Sequence, residues 1–156
     1  MFLTDALVAG VIATAACDAW QWTLRRGGFS TTNWGFVGRW IGSIPRGVFS
    51  HAAIVESPSV PAERWIGWSF HYFVGVTYAA IYLVLLSISG SGPRLLWTIG
   101  FGLATVISPW LILQPALGGG FFARKTPHPG QARYVSVTTH GVFGLGLYLG
   151  ALAAGL

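Results

Sequence analysis

The sequence predicts an all-α polytopic membrane protein: a bundle of four transmembrane helices in a single domain spanning residues 1–156, with an interfacial segment on the cytoplasmic side. Three observations predict it. Charged residues make up 8% of the chain and hydrophobic ones 53%, with a mean hydropathy of +0.62, whereas a soluble domain carries about a quarter charged residues. Four stretches reach the roughly 20 apolar residues needed to cross the hydrocarbon, namely Leu3 to Leu24, Trp65 to Ile88, Leu95 to Leu117 and Tyr134 to Leu156. The basic residues, finally, gather at one end of these stretches.

The first stretch superficially resembles a signal peptide, and Thr14-Ala15-Ala16-Cys17 faintly resembles a lipoprotein cleavage site. Its amino end carries Asp5 and no basic residue, while Arg25-Arg26 follow the apolar run. That is the charge order of a retained N-out anchor, so a true first span is expected. Cys17, the single cysteine, lies inside it and reads as a small buried residue, which leaves no intramolecular disulfide and no cysteine zinc motif.

In the connection from Arg25 to Arg64, Trp34, Val37, Ile41, Ile44 and Val48 recur at helical spacing while Arg39 and Arg46 fall off the stripe. An interfacial helix with its apolar side down is expected, broken by Gly38, Gly42, Pro45 and Gly47. Glu63-Arg64 would pair with each other or cap the second span. In the third span Pro109 and Pro115 should bend the helix and free backbone carbonyls. Gly118-Gly119-Gly120 reads as a flexible turn. Small residues at steps of four mark the packing faces: Ala6, Gly10, Thr14 and Asp18; Gly67, His71, Gly75 and Ala79; Gly100, Ala104 and Ser108; Ser136, His140 and Gly144, with Gly146 and Gly150 as a further pair.

The net charge of +5 and a pI near 10.0 do not indicate nucleic acid. Arg25, Arg26, Arg39, Arg46 and Arg64 flank the first connection and Arg124, Lys125 and Arg133 the third, with Arg94 alone on the opposite side. The positive-inside rule then puts both termini outside and the basic loops in the cytoplasm, where they would also attract anionic lipid. Trp20, Trp22, Trp34, Trp40, Trp65 and Trp68 gather near this face as an aromatic belt.

A weak internal repeat relates His71-Tyr72-Phe73-Val74-Gly75 to His140-Gly141-Val142-Phe143-Gly144, and Ala13-Thr14 to Ala104-Thr105. The halves would be tandem helical hairpins of one orientation, with Asp18 aligned to Pro109. Glycine-rich apolar sequence also yields chance matches, and both readings stand.

Asp18, His71 and His140 each lie seven positions from the arginine that ends their span, Arg25, Arg64 and Arg133. At about 1.5 Å per residue all three sit roughly 10 Å below the same membrane face and can meet. A carboxylate and two imidazoles suit a divalent transition metal, or a haem held between paired histidines. They suit equally a proton-coupled solute site with Trp22, Trp68 and Gln114 beside it, since histidine titrates near neutrality. They suit also a purely structural lock within the bundle. His51 and His128 read as solvated loop residues, His51 remaining open as a lid or extra ligand. Catalytic signatures are absent: no G-x-S-x-G, P-loop, H-E-x-x-H or dinucleotide fingerprint occurs, and four carboxylates make a hydrolytic acid pair unexpected.

Ala13-Thr14 with Asp18 and Trp20, Gly38-Arg39-Trp40, Phe49 with His51, Gly67-Trp68 with His71-Tyr72, Pro115 with Gly118 and Gly120, and His140-Gly141 with Gly144 and Tyr148 form a pattern over nearly the whole chain. With it the chain resembles a family of small four-span bacterial inner-membrane proteins classed only as a domain of unknown function. The resemblance implies that location and supplies no activity. The expected function is binding of a small polar solute, proton or metal ion, with translocation as an extension that four spans would support best in a homo-oligomer. The alternatives are a metal- or haem-dependent membrane enzyme and an accessory subunit of a larger membrane complex.

Overall fold

A computed structural model describes all of residues 1–156. Four helical segments are long and apolar enough to cross a membrane: Phe2–Arg26, Glu63–Ser89, Leu95–Ala116 and Pro129–Ala153. The elements in order are α1 (Phe2–Arg26), α2 (Trp34–Ser43), α3 (Glu63–Ser89), α4 (Leu95–Ala104), a π-helical turn at Pro109–Leu113, α5 (Gln114–Ala116) and α6 (Pro129–Ala153), with short 3₁₀ turns in the connections. The first, second and fourth spans are single helices. Asp5 in the first turn of α1 and Arg25 and Arg26 in its last turn complement the helix dipole, Gly90 ends α3 in the left-handed conformation at φ +63°, and Pro129 opens α6 where its missing N–H costs nothing.

The third span is broken as Pro109 and Pro115 predict. After Ala104 the chain passes through Thr105 and Ser108 into the π turn before α5 closes the span. Proline cannot donate to the helical ladder, and widening the following turn absorbs the missing bond.

The spans pack in the order α3, α1, α6, α4. Lipid tails give no hydrophobic drive between helices, so close backbone approach over small residues takes its place. Gly146 and Gly150 of α6 lie on Ala13 and Ala9 of α1, where a Cβ would come within 2.8 and 2.6 Å of those Cα atoms. Gly10 of α1 lies on the backbone of Val76 in α3, and Gly75 on Thr14. Gly102 of α4 meets the backbone of Gly144 in α6. The small-residue faces expected in the first, second and fourth spans are thus the interfaces, but that of the third span is not Gly100, Ala104 and Ser108. A Cβ on Gly100 would meet nothing and Ala104 is exposed; the buried residues are Thr98, Gly102 and Thr105, about a third of a turn away. The packing face is chosen by the partner helix, where the backbone of Gly144 in α6 meets Gly102.

The connection before α3 carries the expected helix but differs from the sequence reading in two details. Gly38 and Gly42 do not break α2. They let it dock: Gly38 meets the Glu63 carbonyl and Gly67 meets that of Trp34, so two backbones touch where α2 crosses the start of α3. Arg39, expected on the polar side, is 9% exposed and turned inward. Its guanidinium makes a two-pronged bond with Glu63, 2.8 and 2.9 Å, and donates to the carbonyls of Ile54 and Ser57. Glu63 therefore pairs with Arg39 and not with Arg64, and the pairing raises the Arg39 pKa above its ordinary value. Val37, Trp40, Ile54 and Ala116 form a second small core beneath this cover.

Candidate functional site

A cavity of about 310 Å³ lies among the four spans, on the side of the basic connections, and α2 covers it. Its walls come from every span: Thr14, Cys17 and Gln21 of α1, His71 and Tyr78 of α3, Ser108 and Pro109 of the broken span, and Ser136, Thr139 and His140 of α6, with Trp34 and Trp40 from α2. Both intramembrane histidines that the sequence singled out therefore face one space.

They are held differently. His71 Nε2 is 2.9 Å from Asp18 Oδ1, and the Tyr72 hydroxyl donates to Asp18 Oδ2 at 2.8 Å. Both carboxylate oxygens thus have hydrogen-bond partners. The Trp34 ring stacks on the imidazole with centroids 3.8 Å apart, and Trp68 closes its edge at 5.8 Å. His140 Nδ1 is 2.7 Å from Thr105 Oγ1, whose own proton goes to the Gly102 carbonyl at 2.6 Å. That commitment makes the imidazole the donor. By the same count a carboxylate at Asp18 takes the proton of His71 Nε2.

On neutral imidazoles the ring nitrogens left over, His71 Nδ1 and His140 Nε2, are acceptors. Neither has a protein partner, and neither is sealed away, in contrast with the buried, unpartnered Thr139 Oγ1 in the same wall. Gln21, 4% exposed, adds an amide to the lining. The site can accept hydrogen bonds from a small molecule on two walls, beneath the Trp34 and Trp40 rings of α2.

Asp18, His71 and His140 are not gathered as one ligand cluster. Asp18 and His71 meet, but Asp18 stands behind the imidazole and does not line the cavity; His140 belongs to the opposite wall. No group of three or more histidine, cysteine, aspartate or glutamate side chains is arranged to hold a metal ion. Trp22 lies outside the site: it is 52% exposed, with the Arg26 guanidinium 3.8 Å above its ring. Trp68 touches His71 without lining the cavity. Gln114 does not line it either, and its buried Oε1 has no partner. His51 is not a freely solvated loop side chain: Nδ1 bonds Ser57 and Nε2 is buried without a partner, outside the cavity. Cys17 is buried and its thiol reaches the Thr139 carbonyl.

Sequence reasoning missed Trp34, Tyr72 and Thr105. Tyr72 and Thr105 were visible only as parts of repeat or family motifs. Trp34 lies far along the chain and arrives only through the docking of α2.

The chain belongs to the family described as "Protein of unknown function (DUF2938)", whose model matches residues 7–154. No curated protein and no solved structure matches it.

Proposed function

We propose that this is an integral membrane protein that binds a small polar solute between its two helical hairpins, with the hydrogen-bond donors of the solute directed at His71 and His140. The observation that supports it is the pair of imidazoles on opposite walls of one cavity, each with one nitrogen fixed by the protein and the other free. Intramembrane polar groups are expensive, and a purely structural histidine pair would be expected to satisfy both nitrogens from within the bundle.

The proposal includes a bacterial inner-membrane location, with both termini outside and the covered cavity in the cytoplasmic third. Arg25, Arg26, Arg46, Arg64, Arg124, Lys125 and Arg133 at one end against Arg94 at the other support it, as does anionic lipid as the natural neighbour of the basic end. Cysteine-accessibility mapping of the termini and of residues 118–133 tests the orientation, and a cytoplasmic C-terminus refutes it.

Solute binding is tested by the thermal stability of the purified protein in glycerol, urea and acetamide, each compared with His71→Ala. Binding to the folded state raises Tm in proportion to ln(1 + [L]/Kd), so the wild type should gain stability in at least one solute beyond what the variant gains. Stoichiometric zinc, iron, copper or haem in the purified protein, lost with His71→Ala, would replace this reading by the cofactor one.

A further inference from the structure

α3 and α4 are neighbours in the ring of spans, yet they do not pack along their lengths as the other adjacent pairs do. Side chains bridge them instead. Tyr78 of α3 donates to Ser108, and one turn further along Tyr82 is hydrogen-bonded to Thr98. On one side of these bridges is the histidine cavity, which Tyr78 and Ser108 both line. On the other side lies a second cavity of about 480 Å³, lined by Tyr82 and Phe101 and running out past Ser89 and Arg94 at the opposite end of the bundle. His71, Tyr78 and Tyr82 recur at steps of seven and four, so one face of α3 runs from the first cavity to the second.

We propose that the seam between α3 and α4 is a passage for small uncharged solutes bearing O–H or N–H donors, closed in this conformation by the Tyr78–Ser108 and Tyr82–Thr98 bridges. It rests on the solute-binding reading of the histidine cavity and adds a second site and a route. The chemical class follows from the lining. Between the cavities stand hydroxyls and the Phe101 and Phe143 rings, with no fixed charge to replace the hydration of an ion. Apolar molecules need no protein to cross a bilayer, which leaves neutral molecules with hydrogen-bond donors as the cargo. The bridges also suit a barrier that opens: each is one hydroxyl pair, and Ser108 sits where the third span is already broken.

Glycerol and urea are the probes, with stopped-flow light scattering of vesicles carrying the full chain. Wild-type vesicles should pass one of them faster than protein-free vesicles, and sodium no faster. Removing one net hydrogen bond shifts a closed–open equilibrium about fivefold, so Tyr78→Phe and Tyr82→Phe should each speed that flux by up to this factor and the double variant further. Because Cys17 itself lines the first cavity, sidedness is read separately in sealed vesicles of known orientation, on Cys17→Ala variants that are folded and monodisperse when purified: Ile112→Cys in the first cavity should react with a membrane-impermeant thiol reagent from the basic face only, and Leu86→Cys in the second from the opposite face only. Labelling of both from one face overturns the passage, as does opposite-face labelling with fluxes in the wild type and both tyrosine variants no greater than in protein-free vesicles. In either case a retained, His71-dependent rise of Tm in glycerol or urea would leave the binding reading standing, whereas loss of that rise with the labelling pattern intact would sink the binding reading.

Discussion

The two hairpins, α1 with α3 and α4 with α6, place a histidine against one cavity by different means. In the first, both helices are unbroken, a carboxylate and a tyrosine hold the imidazole, and α2 adds a stacked indole and the Arg39–Glu63 clamp. In the second, the leading span is broken at Thr105 and Pro109 and a threonine alone holds the ring. Residue for residue the match is displaced: the Ala-Thr alignment sets Pro109 opposite His140, but the structure sets Thr105 there, one helical turn away. The difference teaches that the first hairpin is a braced wall, where Asp18 is hydrogen-bonded on both oxygens and an indole stacks on the imidazole it holds. The second is the wall whose leading helix is interrupted between Thr105 and Pro109.

The largest effect expected on this comparison comes from the contacts that both hairpins share. Gly75→Leu pushes a side chain into Thr14 and Gly144→Leu pushes one into the backbone of Ile99, so each should abolish a folded, monodisperse protein in detergent, with neither hairpin spared. Wild-type thermal stability in either variant would show that the close approach is not what joins that hairpin. Next comes the brace. Arg39→Ala removes four hydrogen bonds to a half-buried carboxylate and two carbonyls and should cost about 3 kcal/mol in denaturant titration, with the loss of Trp34 from the face of His71 visible in the near-UV CD.

The two histidine partners sharpen the comparison further. Asp18→Asn keeps the shape, but its amide can donate to His71 Nε2, which transfers the ring proton to Nδ1 and turns the acceptor in the cavity into a donor. Solute affinity should fall about tenfold or more with little loss of folded protein, since the solute loses an acceptor and faces an unmatched donor, and leaving a buried polar group unsatisfied costs about 1–3 kcal/mol. Thr105→Val only unfixes the His140 tautomer and should weaken binding about fivefold or less. Equal losses in the two variants, measured by the solute-dependent Tm, would erase the distinction between braced and unbraced walls. The smallest effect belongs to Pro109→Ala. The π turn is closed by the Gln114 N–H on the Pro109 carbonyl, which alanine retains, so stability should change by no more than about 0.5 kcal/mol.

Much of this arrangement was legible in the chain. Apolar run length gave four spans, and the arginine offsets put Asp18 and His71 at one depth, where they are indeed bonded. Hydropathy carries no phase information, however. Within the single helix Leu95–Ala104 two small-residue stripes compete, and the partner helix, through Gly144 against Gly102, selects Thr98 and Gly102 over Gly100 and Ala104. Arg39 shows a second limit. Off an apolar stripe it reads as solvated, and only Glu63, 24 positions later, turns it into the rivet of the cover. Trp22 and Trp68 share a composition signal with Trp34, and only helix phase and the docking of α2 select which indole meets the histidine.

The central claim is that both hairpins contribute to one solute site, and a double-variant cycle on the solute-dependent Tm tests it most directly. His71→Ala and His140→Ala are compared singly and together in the solute that stabilises the wild type. The account predicts that each single change removes most of the stabilisation and that the double variant loses little more, because groups sharing one ligand are not additive. Two independent, additive losses, or stabilisation that survives either change, would contradict it.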